Sequence, residues 1–420
     1  MSRRYHFIID KKLYDLTDFI PHHPGGTDMC YMANHDVSNH YKMLHGRSFD
    51  HEKMQKYLCS SNPYVPAEGT EGNSTEISPF GKEMITKVHA LFKNKEETFA
   101  DYRYYVKAIS ILFITMIFEI FYLKTNSLYI SLGLGTLYAL IGLNVGHDAN
   151  HGALGRHKWY HEIFKFSTDW IGGSKVMWIQ QHVISHHAYT NKIDLDNDIT
   201  SAEPFLIFHP SSKNITKIHA FQHLFYLFII KLYAFSSLLN FGTLIRMQHY
   251  DKFHSSAHAM DARNVTIGIR FFVIFKLCVL PWFFQPHLTV LDMFLKMGVA
   301  ILTEGVILAF LFLISHNFED STKVNFTNDW HIDQIITAST YGGRIAGFFT
   351  GGLNYQIEHH LFPRISSVHY PKIHETVKEV CAKYGVKYTY YPDAITNFWS
   401  TLLHIRDVGN QRIQEVKKAK

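Results

Sequence analysis

Four stretches of this 420-residue chain, 106–123, 128–146, 265–285 and 293–314, are each apolar over close to the roughly 20 residues a helix needs to cross a bilayer. No other feature restricts the fold as much. In hydrocarbon every backbone N–H and C=O must be satisfied within its own segment, so each stretch must be helical. Charges inside them are few. Glu119, Lys276, Lys296 and Glu304 are the exceptions, and such residues are expected to face the bundle interior or reach for an interface. A fifth apolar stretch, 221–241, holds Lys231 and several polar residues.

Histidine gathers where the stretches end. His147 and His151 (HDANH), His182, His186 and His187 (HVISHH), and Gln356, His359 and His360 (QIEHH) form three clusters, and His316 stands alone after the last apolar stretch. Neutral imidazole is a good ligand for iron, copper and zinc. On helices, i and i+4 in the first cluster share a face, as do i, i+3 and i+4 in the third. In the second, i, i+4 and i+5 put two rings on one face and a third around the corner. Soluble di-iron bundles enclose two metals with Glu and Glu-x-x-His from facing helices; here imidazole would replace most carboxylates. A lone histidine at a membrane interface is ordinarily a polar helix end, but three clusters with ligand spacing are not explained that way. His157, His161, His219 and His223 read as structural. Asp194, Asp196 and Asp198 fit either an outer layer accepting the ligands' second N–H or a solvated acidic turn.

If the clusters build one site, they lie on one side of the membrane, and an even number of crossings separates the first two from the third. One of the three intervening stretches therefore does not span. The loop 242–264 holds Arg246, Lys252 and Arg263, whereas 286–292 holds no Lys or Arg. The positive-inside rule then assigns 242–264 to the cytosol and 286–292 to the lumen. The expected arrangement is 221–241 along the interface, four spans in two hairpins, and both termini and all clusters in the cytosol.

Residues 1–60 read as a small polar domain. The stretch 61–80, rich in Pro, Gly, Ser, Thr and Glu, reads as a linker. Residues 81–103 read as an amphipathic helix opening the membrane domain, 81–420. In the first domain His23-Pro24-Gly25-Gly26 precedes His45. Glycine lets backbone approach a flat ligand closely, and proline stiffens the turn. Two facing histidines would ligate a haem iron on both sides and leave no position for oxygen. His22 and His40 are close neighbours of that pair.

The formal charge of +5 leaves all 29 histidines neutral, and the aromatic residues lie in apolar runs rather than among basic ones, so no nucleic-acid partner is expected. Cys30, Cys59, Cys278 and Cys381 are too scattered for a CxxC site or a disulfide framework. The N-terminus lacks the apolar core of a secretory signal. The end, Lys417-Lys418-Ala419-Lys420, reads either as a di-lysine retrieval signal of the endoplasmic reticulum or as a basic tail.

In combination the HX3H, HX3HH and QX2HH boxes resemble those of the membrane fatty-acyl desaturases, over roughly residues 80–385. The QIEHHLFP run at Gln356–Pro363, with HDANHG (147–152) and HHAYTN (186–191), resembles the front-end branch, which acts between an existing double bond and the carboxyl end. The HPGG run, the segment Asn34-His35-Asp36-Val37-Ser38 and His45 resemble cytochrome b5. The resemblance implies an all-α transmembrane desaturase fold, four spans under a cytosolic helical cap carrying the boxes, preceded by a small α+β haem domain. It implies two Fe ions on His147, His151, His182, His186, His187, His316, Gln356, His359 and His360, with Gln356 in place of a histidine found in other branches. It implies haem b on His23 and His45, O2 as co-substrate, a polyunsaturated fatty acyl lipid or acyl-CoA as substrate, and the endoplasmic reticulum membrane as location.

The chain holds no GxGxxG-type nucleotide site. Electrons would therefore come from an external NADH-dependent flavin reductase through the fused domain. An apolar tunnel between the spans would hold the acyl chain, with its head near Arg156 and Lys158. A sphingolipid long-chain-base desaturase or a lipid hydroxylase would use the same ligands. A metal transporter would need ligands near mid-bilayer, and a simple electron carrier would leave the boxes unexplained.

Overall fold

A computed structural model describes residues 4–23, 26–61, 69–156, 158–239 and 257–418. Pro24, Gly25, residues 62–68, His157, Arg246, Lys252, Ala419 and Lys420 lie outside the described residues, as do the side chains of Lys158, Arg263, Lys417 and Lys418.

Among the described residues, four helices are long and apolar enough to cross a membrane: Lys95–Lys124, Leu128–Asn150, Val265–Phe284 and Val290–Leu313. They coincide with the four stretches expected from hydropathy, two of which overrun their helix by one residue. Side-chain caps set three of their starts. Asp101 accepts from the Arg103 N–H, Ser127 from Ile130, and Thr289 from Asp292, whose carboxylate returns the bond to Thr289. Each cap contributes about 1 kcal/mol. The second and fourth spans approach closely because the contact is lined by small residues: a methyl group at Gly135 would collide with the Ala300 carbonyl. Lipid tails give no hydrophobic drive for association, so this close packing holds the helices together. Tyr104, Tyr138, Ile141, Val145, Leu277 and Ile301 fill the shared core.

The fifth apolar stretch is broken. Lys217–Ile230 and Tyr233–Leu239 meet at 64°. At 1.5 Å per residue the longer arm reaches about 21 Å, short of the ~30 Å hydrocarbon core. Gly305 admits the bend, since a side chain there would strike the Lys231 carbonyl.

The intramembrane charges face inward, as expected. Lys276 donates to Glu119 at 2.8 Å, and the same carboxylate accepts from Tyr138 and Trp170. Lys296 donates to the carbonyls of Tyr122 and Thr125 at 2.8 and 2.6 Å. Glu304 is buried within the fourth span.

The N-terminal domain is a two-stranded antiparallel hairpin, His6–Ile9 with Lys12–Asp15, followed by short helices that include Ser38–His45. Asp10 and Lys11 both take positive φ (48° and 64°), which matches the right-handed twist of a two-residue hairpin turn. Phe7, Ile9, Tyr14, Leu16 and Phe49 form its core. All four cysteines are free.

Two segments differ from their sequence reading. The helix expected over 81–103 runs only from Pro79 to His89, and a separate 3-10 turn, Lys95–Thr98, starts on an Asn94 cap. Its apolar face (Phe80, Met84, Val88) packs on the third histidine cluster's helix through Ile357 and Leu361. The stretch read as linker is tied down over 69–78. Thr75 donates to Asp10 at 2.6 Å, and Asn73 accepts from Asn39 at 2.9 Å and donates to Tyr189 at 2.8 Å. These are polar contacts at an interface, and a composition too poor in apolar residues to form a core gives no sign of them.

Candidate metal centre and haem site

The second span continues past residue 146 through a π-helical turn, Gly142–Gly146, into the short helix His147–Asn150 that bears the first cluster. The second cluster lies on another π-helical segment, Ile179–His186, which runs on into His187–Tyr189. Ser174 caps its start by accepting from the Met177 N–H. This winding corrects the expectation for His187. With i→i+5 bonds, residues four and five apart straddle one line along the helix, so His182, His186 and His187 share a face. The third cluster sits on Gln356–Leu361. Before it, Gly351 and Gly352 adopt φ of 66° and 85°, and a side chain at Gly351 would strike the Leu143 carbonyl in the first π turn. Only glycine fits both demands. His316 follows directly on the fourth span, which ends at Leu313.

All nine residues meet in one buried volume. One group contains His147, His151, His182 and His359, another contains His186, His316 and His360, and a third, His182, His186 and Asp198, links the two. Gln356 joins the second group with its amide 2.8 Å from His316 Nε2. His187 lies between the groups, its Nε2 3.2 Å from His182 Nε2 and its ring stacked on His360 at 4.2 Å. Nε2 of His316 is 3.2 Å from that of His186 and 3.1 Å from that of His360.

The outer nitrogens explain why these inner ones face each other. His182 Nδ1–H donates to Asp198 at 2.9 Å, His186 Nδ1–H to Asp196 at 2.9 Å, His360 Nδ1–H to Gln334 at 2.7 Å, and His316 Nδ1–H to the Thr337 carbonyl at 3.3 Å. His359 Nδ1 pairs with the Tyr370 hydroxyl at 3.0 Å. An acceptor on Nδ1 fixes the proton there, which leaves a lone pair on Nε2. The Nε2 lone pair of His316 and those of His186 and His360, 3.1–3.2 Å away, repel unless a cation lies between them. Two nitrogens on one metal at 2.0–2.1 Å are separated by about 2.9–3.4 Å for right-angled to tetrahedral bonds, so the spacing suits a shared ion.

Electrostatics agree for six of the rings. Burial, and then the neighbouring imidazoles, push His151, His187, His359 and His360 well below the usual histidine range; His316 is likewise depressed, and His182 falls to about 4. His186 alone is raised, because Asp196 and Asp198 outweigh its burial. Neutral rings are the form that ligates. Meanwhile Nδ1 and Nε2 of both His147 and His151, Nδ1 of His187, Nε2 of His359 and Oε1 of Gln356 are buried without hydrogen-bond partners. Each such orphan costs about 1–3 kcal/mol, so inward-facing donors of this number fit a bound metal pair.

Of the three aspartates, Asp196 and Asp198 serve the outer layer and Asp194 is exposed. Arg156 is engaged with Glu96. His161 and His219 hold backbone carbonyls of Gly155 and Pro204 at 2.8 and 2.9 Å, which are structural roles. Sequence reasoning missed Gln334, Tyr370 and Asp148. Asp148 accepts from Ser366 and from the Ser367 N–H and hydroxyl at 2.8–2.9 Å, which ties the first cluster to the loop after the third. Its place inside the HDANH box was the one available signal; nothing marked the other two.

In the N-terminal domain the rings of His23 and His45 face each other with centroids 6.1 Å apart. An iron held at about 2 Å by a nitrogen of each ring puts the centroids roughly 6 Å apart, so the pair fits haem. His45 Nδ1–H donates to the Tyr41 carbonyl at 3.0 Å, and Tyr41 stacks on the ring at 4.2 Å. His40 plays another part: it donates to the Ile184 carbonyl, on the second-cluster helix, at 2.6 Å. Tyr31 and Met43 of this domain share an apolar cluster with Val176, Ile179, Val183, Ile184 and Trp330, and Asp28 pairs with Lys165. The helix bearing His45 is thereby docked on the helix bearing the three rings of the second cluster.

Comparison with known proteins finds a family match over each of the two regions. The family profile for fatty acid desaturase matches residues 126–392, and that for the cytochrome b5-like heme/steroid binding domain matches residues 2–62. The acyl-lipid (7-3)-desaturase of Diacronema lutheri is 31% identical over 414 residues, covering 96% of this chain and 90% of the relative. The acyl-lipid (8-3)-desaturase of Physcomitrium patens is 29% identical, covering 96% and 88%. The Delta(5) fatty acid desaturase A of Dictyostelium discoideum is 28% identical, covering 96% and 90%.

Proposed function

The chain belongs to the fatty acid desaturase family, in its front-end branch with a cytochrome b5-like domain at the N-terminus, and on that premise we propose that it uses O2 to insert a double bond on the carboxyl side of an existing one in a polyunsaturated acyl chain. Two irons on His147, His151, His182, His186, His187, His316, Gln356, His359 and His360 would supply the oxidant that such unactivated C–H bonds demand. Haem b on His23 and His45 would pass in electrons from an external NADH-dependent flavin reductase. The observation that carries this reading is the set of inner imidazole nitrogens 3.1–3.2 Å apart in a buried volume, with acceptors on the outer nitrogens of His182, His186, His316 and His360.

The protein's own residues do the rest. Asp196, Asp198, Gln334 and Tyr370 hold ring orientation, and for His182, His186 and His360 also the tautomer. Gln356 keeps a free amide oxygen at the same centre, a weaker ligand than imidazole. Leu143, Leu308 and Leu353, with Phe312 against them, form an apolar cluster at this end of the spans. Phe312 also lies 6.3 Å from the His182 ring. We assign the reacting part of the acyl chain to this wall, which excludes water from the site. The substrate's head would stay at the cytosolic surface, and the relatives' names favour a lipid as its carrier. The basic residues of the loop 242–264 support a cytosolic placement of both termini.

Expression in a yeast without polyunsaturated lipids, fed single polyunsaturated acids, tests the reading. Mass spectrometry should locate one new double bond toward the carboxyl end. Hydroxylated lipid without unsaturation, or a desaturated long-chain base in place of the fed acid, would contradict it.

A further inference from the structure

Among the aromatic side chains between the docked N-terminal domain and the histidine centre are Trp330, whose indole donates to the His187 carbonyl, and Trp178, whose ring contacts the ligand rings themselves. Trp178 ends the helix Lys175–Trp178, just before the π-helical segment of the second cluster. Its ring lies 4.5 Å from that of His182, 5.1 Å from His151 and 5.6 Å from His147, between ring centroids. It also packs against the apolar cluster that contains Tyr31 and Met43, as does Leu44, the residue before His45. Trp178 thus touches residues of the metal group directly and shares an apolar cluster with Met43 and Leu44 of the helix of His45. His40, bonded to Ile184, and Asn73, bonded to both Asn39 and Tyr189, hold the two domains in this register.

We infer that Trp178 is the conduit through which electrons leave the haem domain for the metal pair. This rests on the haem and di-iron reading above. Its π system shortens the gap an electron must tunnel and is not itself consumed. Each passage oxidises one ferrous haem to ferric and reduces one iron of the pair from ferric to ferrous. Two passages supply two electrons. Two hydrogen atoms from the acyl chain supply two more with their protons, and with two further protons from water these convert one O2 into two H2O. The haem electrons are restored by the external reductase.

The test uses the full-length protein with haem and non-haem iron measured first; absence of either would fail the reading on which this rests, not the conduit. Wild type and Trp178→Leu are fully reduced without air, loaded with a polyunsaturated acyl substrate and mixed with O2. Because both irons start reduced, the first burst of product should equal that of wild type. Haem reoxidation, followed by its absorbance and corrected for the iron-free His186→Ala background, should slow by at least about tenfold. Haem reoxidation at the wild-type rate overturns the inference. So does loss of the burst, which would make Trp178 a support for the ligands. If Trp178→Leu loses iron, Trp178→Met, closer in volume, is read by the same outcomes, and iron loss in both variants also overturns it.

Discussion

The haem pocket and the polyhistidine centre are both made of imidazole, yet the first uses two rings and the second eight rings and an amide. In the pocket the pair stands 6.1 Å apart and would take both axial positions, which suits an iron that only gains and loses an electron. A hydrogen bond from His45 to the Tyr41 carbonyl orients one of its rings. The centre is supported far more heavily. Carboxylates, an amide, a hydroxyl and a carbonyl hold five of its outer nitrogens. Two π-helical turns aim its rings. A site that performs chemistry must fix many donors at once, whereas a relay must only keep its cofactor close to the acceptor.

Removing one support from each region should separate them. The largest effect is expected for His186→Ala, which should abolish product and non-haem iron while leaving the haem spectrum intact. His45→Ala should do the converse: haem absorbance is lost, iron is retained, and activity returns when free cytochrome b5 is added. A change in both cofactors from either substitution would mean that the two regions fold as one. Asp196→Asn keeps the ligand and weakens its orientation, so iron affinity measured by competitive chelation should fall about 10–100-fold. Asn73→Ala acts on the junction. It leaves buried polar partners unmatched and should lower thermal stability by about 1–3 kcal/mol with both cofactors still bound. The smallest effect concerns pH. His404 is buried, donates to the Phe208 carbonyl at 2.8 Å and has its pKa pushed down by burial to about 4. Its unfolded value is near 6.5, so the unfolded chain takes the proton first. Stability is full above pH 6.5 and declines as the pH falls toward 4. His404→Gln should flatten that limb of the denaturation profile.

The spans and the gathering of the histidine clusters were legible in the sequence because both are written in residue type. Long apolar runs, and His147 through His360 at helical spacing, need no tertiary information to be seen. The inward turn of Lys276 and Lys296 followed from the cost of charge in hydrocarbon. The π-helical winding was not legible, because the same residues satisfy i→i+4 and i→i+5 bonding equally well on paper; His187 therefore read as off the face. Gln334 and Tyr370 are ordinary polar residues whose roles exist only once distant helices meet. The pinned segment at 69–78 was hidden for a related reason: its contacts are hydrogen bonds to partners on two other elements, and composition reports apolar burial only.

Metal content decides most directly whether the remote histidines build one centre. Purified full-length protein is expected to carry one haem iron and two further irons per chain, with the further two lost in His186→Ala and His360→Ala alike. Folded protein holding its haem but no other iron would contradict the proposed centre.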